Sequence, residues 1–198
     1  MRCQVKSKER VQQHGEVFTN EREVKAMLDM VKQQSKSITA TFLEPACGDG
    51  NFLVEILRRK LDSVKRLYKQ DKRKFELNSL RAVASIYGVD IQQDNVEEAR
   101  ARLFDDYFAV YVKSFRCKPS QPLQNAVQYI LERNIQCGNT LTYTSAEGEP
   151  LTITEWLFDE DGNAERKVYS YREMVETGCE AKPIQEYPCV YYAWLDNN

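Results

Sequence analysis

The chain holds a single histidine, His14, among its 198 residues, so multi-histidine metal sites are excluded and a Ser-His or Cys-His mechanism is disfavoured. Its six cysteines, Cys3, Cys47, Cys117, Cys137, Cys179 and Cys189, are scattered, with no CxxC spacing. That pattern argues against a zinc site or disulfide framework and for free thiols in a cytoplasmic setting. No apolar run approaches the roughly 18 to 20 residues that span a bilayer, so no membrane partner is expected. The polar start, Met1 to Arg10, lacks the apolar core of a secretory signal. There are six prolines and no Pro-Pro pair, an absence that matters below.

What is present is an ordinary globular composition, 42% hydrophobic and 29% charged, long enough to bury a core without staples. A net charge of −2 hides an asymmetry. From Arg58 to Arg81 ten basic residues face three acidic ones; from Ser145 to Asn198 four basic residues face twelve acidic ones. The first stretch suits a nucleic-acid backbone such as DNA. Solvated surface is the plainer reading of both.

Periodicity predicts alternating strands and helices. Asn20 with Glu23 resembles a capping box opening a helix over 21–34, carrying Val24, Met27, Leu28 and Val31. Ile38 to Leu43 reads as a first strand. Phe52, Leu53, Ile56, Leu57 and Leu61 form one helical face, and the basic stretch after it continues as helix. Val83 to Val89 reads as a second strand, a long helix opens at Asp94 or Asn95, Leu123 to Leu131 makes another, and Asn134 to Cys137 a third strand. This order predicts an α/β fold, a mostly parallel Rossmann-like sheet with helices on both faces, over 37–144. An N-terminal helical segment covers 1–36. Beyond it, 145–198 reads as an appendage on the same domain. It holds a hairpin (Thr152 to Phe158, Lys167 to Tyr171), a short helix over 171–176 and an aromatic tail, Tyr187 to Trp194. The tail either packs on the core or awaits a partner.

The most informative run is Leu43-Glu44-Pro45-Ala46-Cys47-Gly48-Asp49-Gly50-Asn51-Phe52-Leu53. It reads as a buried strand, a tight glycine turn and a helix start whose free amides point at a ligand. An acidic residue ahead of the turn is ill-suited to phosphate and suits an amino group and ribose hydroxyls. In open parallel sheets ligands sit at the carboxyl ends of the strands. Three strand ends here supply matching pieces: Glu44 with Gly48 and Gly50; Asp90, able to accept two ribose hydroxyls; and Gly138-Asn139, a small polar group for an adenine edge.

These runs together resemble S-adenosylmethionine-dependent DNA adenine methyltransferases of the gamma type and restriction-modification modification subunits. Leu43 to Leu53 is similar to motif I and Tyr87-Gly88-Val89-Asp90-Ile91 to motif II. Gly138-Asn139-Thr140-Leu141 is similar to motif III, with Asn139 where aspartate is usual. Gly15-Glu16-Val17-Phe18-Thr19 resembles motif X, with Asn20 where proline is usual. The resemblance spans about Gly15 to Leu141. It implies S-adenosyl-L-methionine as cofactor, lined by Phe18, Thr19, Glu44, Ala46, Gly48, Gly50, Phe52, Asp90, Ile91 and Asn139. Glu44 would take the methionine amino group directly or through water, Asp90 the ribose and Ile91 the adenine face.

The same family holds its flipped adenine with an Asn/Asp-Pro-Pro-Tyr/Phe motif. This chain has none, and no catalytic residue is assigned. The nearest runs are Phe158-Asp159-Glu160-Asp161-Gly162 and Tyr187-Pro188-Cys189-Val190-Tyr191. Nor is there room for a target-recognition domain. Either a partner protein supplies the missing parts or the chain is a non-catalytic relative; a small-molecule methyltransferase is a weaker third reading.

Overall fold

In a computed structural model, which describes residues 6–14 and 17–197, the chain forms an α/β structure built on two sheets. The first has the order β1-β2-β3-β4: β1 (Phe42–Glu44), β2 (Ile86–Asp90) and β3 (Ile135–Asn139) run parallel, and the short β4 (Thr144–Ser145) is antiparallel to β3. The second is antiparallel, β5 (Thr152–Phe158), β6 (Asn163–Ser170) and β7 (Gln185–Tyr191). Among the described residues no helix is long and apolar enough to cross a membrane.

Helix α4 (Asn51–Tyr68) follows β1, and its buried Leu53, Val54, Leu57, Leu61 and Val64 recur at helical spacing. It packs on α6 (Gln93–Phe115), which buries Val96, Ala99, Leu103 and Tyr107. Burying each large aliphatic side chain contributes about 1.5–3 kcal/mol. Between them in sequence lies α5 (Lys72–Ala84), which packs on α7 (Gln121–Asn134). Strand alternation assigns the two faces of β2. Gly88 lies against Leu53 of α4, so close that a Cβ there would come within 2.7 Å of it. Tyr87 faces the other way and donates to the Thr154 carbonyl of β5 (2.7 Å). The C-terminal sheet therefore covers part of a face that the sequence pattern assigns to helices, and Val89 buries with Leu151 and Tyr171 there.

Three element boundaries differ from the sequence reading, each for a local reason. The helix expected over 21–34 breaks at Val31 (φ −115°, ψ 41°) into α2 (Glu21–Met30) and α3 (Lys32–Lys36). The buried Ser35 hydroxyl donates to the Leu28 and Lys32 carbonyls, giving the backbone an alternative partner. The first strand starts at Phe42 rather than Ile38, because the carbonyls of Ser37, Ile38 and Ala40 turn inward onto the Lys60 ammonium. Val83 and Ala84 end α5 instead of starting β2. The tail, expected to pack on the core or to await a partner, supplies a third strand, β7, and a closing 3-10 segment, Tyr192–Asn197, that packs on α7. The short helix appears as α8 (Tyr171–Thr177), with Ser170 as its cap.

Candidate functional site

The carboxyl ends of β1, β2 and β3 open into one crevice of about 530 Å³. That volume falls within the range of about 300–1,000 Å³ usual for small-molecule sites. Phe18, Thr19, Glu44, Ala46, Gly48, Phe52, Asp90, Ile91 and Asn139 all line it. Gly50, expected there from the glycine turn, is not a lining residue. With φ 83° it caps α4, and a Cβ on it would come within 3.0 Å of Ala99, so its task is to let α4 approach α6. Gly15 and Glu16 of the motif-X-like run lie outside the described residues.

Backbone and side chains stitch the strand-end loops together. The Cys47 amide donates to the Val89 carbonyl (2.9 Å) and the Gly48 amide to the Asp90 carboxylate (2.9 Å). The Thr140 hydroxyl donates to the Pro45 carbonyl (3.2 Å). Asp90 also accepts from the Gln92 amide (2.9 Å) and from Asn95 Nδ2 (3.1 Å). A carboxylate offers about four acceptor positions, so three internal donors leave room for one more, where the sequence suggests two ribose hydroxyls. Above the turn, the Phe18 ring lies within 3.0 Å of where a Gly48 Cβ would be. Asn51 Nδ2 holds that segment by donating to the Thr19 carbonyl (3.2 Å).

Glu44 differs from its acidic neighbours. Asp49 is paired with Arg102 (2.9 Å), and Asp90 is spent on the loop. Among the described residues no hydrogen bond or ion pair reaches the half-buried Glu44 carboxylate, and burial holds its pKa above the ordinary glutamate value. Among the described residues, no lysine, arginine or histidine lines the crevice. Arg102 is held by Asp49 and Asn51, and Lys6 and Arg10 by Asp94 (3.0 and 2.6 Å). The Cys47 thiol, buried beside three carboxylates, is pushed far above its ordinary value and is inert as a nucleophile. Asn139 spends its Oδ1 on the Leu141 amide (2.9 Å), so its Nδ2 donor is the group left to meet a ligand. Val17, Ile91 and Leu141 form an apolar rim, 60%, 55% and 89% exposed.

Neither run weighed as a substitute for the missing catalytic motif lines the crevice. The Asp159 carboxylate is consumed by its own turn, accepting from the Asp161 and Asn163 amides (both 2.9 Å) and from Asn163 Nδ2 (2.7 Å). Tyr187 to Tyr191 is part of β7.

The basic stretch is largely neutralised within the fold. Arg58 pairs with Asp106 (2.9 Å), Arg59 with Glu55 and Asp29 (both 2.9 Å), Arg73 with Asp161 (2.8 Å) and Arg81 with Glu160 (2.9 Å). Lys65, Arg66 and Lys69 remain, around a hollow at the C-terminal end of α4. At 1.5 Å per residue they lie about 20–27 Å from the helix end at the crevice. Compared with known proteins, the chain matches no family model, no curated protein and no solved structure.

Proposed function

We propose that the crevice binds S-adenosyl-L-methionine, and that the chain is the cofactor-binding part of a DNA adenine methyltransferase of the restriction-modification kind. The carrying observation is a ligand-sized crevice between Glu44 and Asp90 that has carboxylates and, among the described residues, no basic group in its lining. Such a lining repels the phosphates of nucleotide cofactors and attracts a cationic, hydroxylated ligand. The parallel order of β1, β2 and β3, with the crevice at their carboxyl ends, supports a Rossmann-like methyltransferase fold.

Each part of the ligand has a complementary group. The Glu44 carboxylate suits the ammonium of the methionine end. The α4 N-terminus, with free amides at Asn51 and Phe52, suits its carboxylate. Asp90 has one acceptor position for a ribose hydroxyl. The exposed Ile91 and Leu141 side chains offer apolar contact for the adenine faces, and Asn139 Nδ2 a donor for its edge. The bound sulfonium supplies an activated methyl group. No lining residue is placed to hold an acceptor base, so transfer to DNA requires a partner protein that carries those groups, in a cytoplasmic setting.

Thermal unfolding with and without the cofactor tests the reading. A ligand at a hundred times its Kd stabilises the native state by about 2.7 kcal/mol, a shift of several degrees. Asp90→Ala removes a charged acceptor and the brace on Gly48, and is expected to weaken cofactor binding by about 1.5–3 kcal/mol. An unchanged affinity in that variant rejects the assignment of Asp90. Radiolabelled methyl transfer to mixed-sequence DNA is expected to be absent for the chain alone and to appear with the partner.

A further inference from the structure

The crevice is asymmetric in charge. Glu44, Asp49 and Asp90 line it, Arg102 offsets Asp49, and among the described residues no cation lines the space. Two negative charges are left, and of these only the Glu44 carboxylate has no internal bond. Resting on the reading above, we infer that this site selects the cationic methyl donor over its own neutral product, with Glu44 as the selecting charge.

Methyl transfer changes the charge of the ligand. The acceptor's lone pair forms a bond to the methyl carbon, the carbon–sulfur bond breaks, and sulfur keeps the electron pair. The sulfonium thereby becomes a neutral thioether. The positive charge passes to the methylated acceptor and leaves with its proton. Donor and product share the same ammonium, carboxylate, ribose and adenine, so hydrogen bonding alone discriminates little between them. The field of Glu44 and Asp90 does discriminate. Glu44 and Asp90 both line the one ligand-sized crevice, so a cation bound in it sits in the field of both carboxylates. At a separation of about 10 Å and the reduced effective dielectric of a half-enclosed site, each carboxylate changes affinity by about threefold and the two together by about tenfold. Salt weakens the effect, since the Debye length at 0.1 M is about 10 Å. The product is thereby held less tightly than the donor, and the site is emptied by the reaction it serves.

Calorimetric titration of the full chain with three ligands tests this. They are S-adenosylmethionine, its thioether product S-adenosylhomocysteine, and sinefungin, which carries an amine in place of the methyl sulfonium. At low salt the thioether is expected to bind about tenfold more weakly than the donor, with sinefungin resembling the donor. In Glu44→Gln, which keeps the side-chain shape, the donor-to-product ratio is expected to narrow to about threefold or less. Unchanged denaturant unfolding of that variant confirms that it folds. A thioether that binds the wild-type chain as tightly as the donor overturns the inference, as does an unaltered ratio in Glu44→Gln. Failure of all three ligands to bind rejects instead the cofactor reading beneath it.

Discussion

At the scale of single residues, the site and the core make opposite use of charge. Glu44 keeps a carboxylate free for a ligand, whereas Lys60 buries an ammonium that has no carboxylate partner among the described residues. It donates to the Ser37 (3.0 Å), Ile38 (3.3 Å) and Ala40 carbonyls and to the Ser85 hydroxyl (2.8 Å). Burial pulls its pKa from 10.5 down to about 7. The sign of the linkage follows. Between those values the unfolded chain binds a proton that the folded chain does not, so stability rises with pH, by up to about 1.4 kcal/mol per unit. Below both values the two states are equally protonated and the slope vanishes. Urea unfolding from pH 6 to 9 is expected to show this rise in the wild-type chain and to lose it in Lys60→Met; parallel profiles for the two contradict the account. Lys60 is not legible as basic surface. Its register with Leu53, Leu57, Leu61 and Val64 on α4 is the sequence signal that marks it as buried. The residues that share the crevice are more legible, because Glu44, Asp90 and Asn139 each end a strand of the parallel set. Gly50 shows the limit: its turn conformation is readable, but its neighbour, Ala99, comes from a helix about fifty residues on.

At the scale of elements, the sequence marks helices more clearly than strand edges. The apolar stripes of α4, α6 and α7 repeat over several turns, enough to fix each helix to within a few residues. Strand β7 escaped notice because it is an edge strand, largely exposed and interrupted by Pro188, with no alternating pattern to betray it. The attachment of the second sheet was equally hidden. Three side chains from separate elements each hold one carbonyl of β5: Gln136 at Thr152 (2.8 Å), Tyr87 at Thr154 (2.7 Å) and Arg81 at Phe158 (2.9 Å). Asn134 locks the same strand by accepting from Trp156 Nε1 (2.9 Å) while donating to the Ala84 and Ile86 carbonyls. Removing one clamp leaves a buried carbonyl without its donor. Tyr87→Phe is therefore expected to lower the unfolding free energy by about 1–3 kcal/mol, read by denaturant titration; no change there argues that the sheet is held by apolar contact alone.

At the scale of the whole molecule, the charge asymmetry of the sequence resolves inside the fold. The basic side of α5 meets the acidic turn between β5 and β6, through Arg81 with Glu160 and Arg73 with Asp161. Exposed pairs of this kind contribute about 0–1 kcal/mol each, so they orient the second sheet more than they stabilise it. Sequence alone offered DNA or solvent as the partner of the basic run; the missing alternative was a turn some eighty residues away. The few basic groups left over sit at the opposite end of α4 from the crevice, so DNA held there is not presented to the site. What remains at the crevice is a negative, ligand-sized opening with an apolar rim.

The most direct test is a pair of calorimetric titrations of the wild-type chain at neutral pH, one with S-adenosylmethionine and one with ATP. Both carry adenosine; one adds a cationic sulfonium and an amino acid, the other a triphosphate. The account predicts saturable one-to-one binding of S-adenosylmethionine and no measurable binding of ATP. Binding of ATP with equal or greater affinity, or no heat from S-adenosylmethionine, contradicts it.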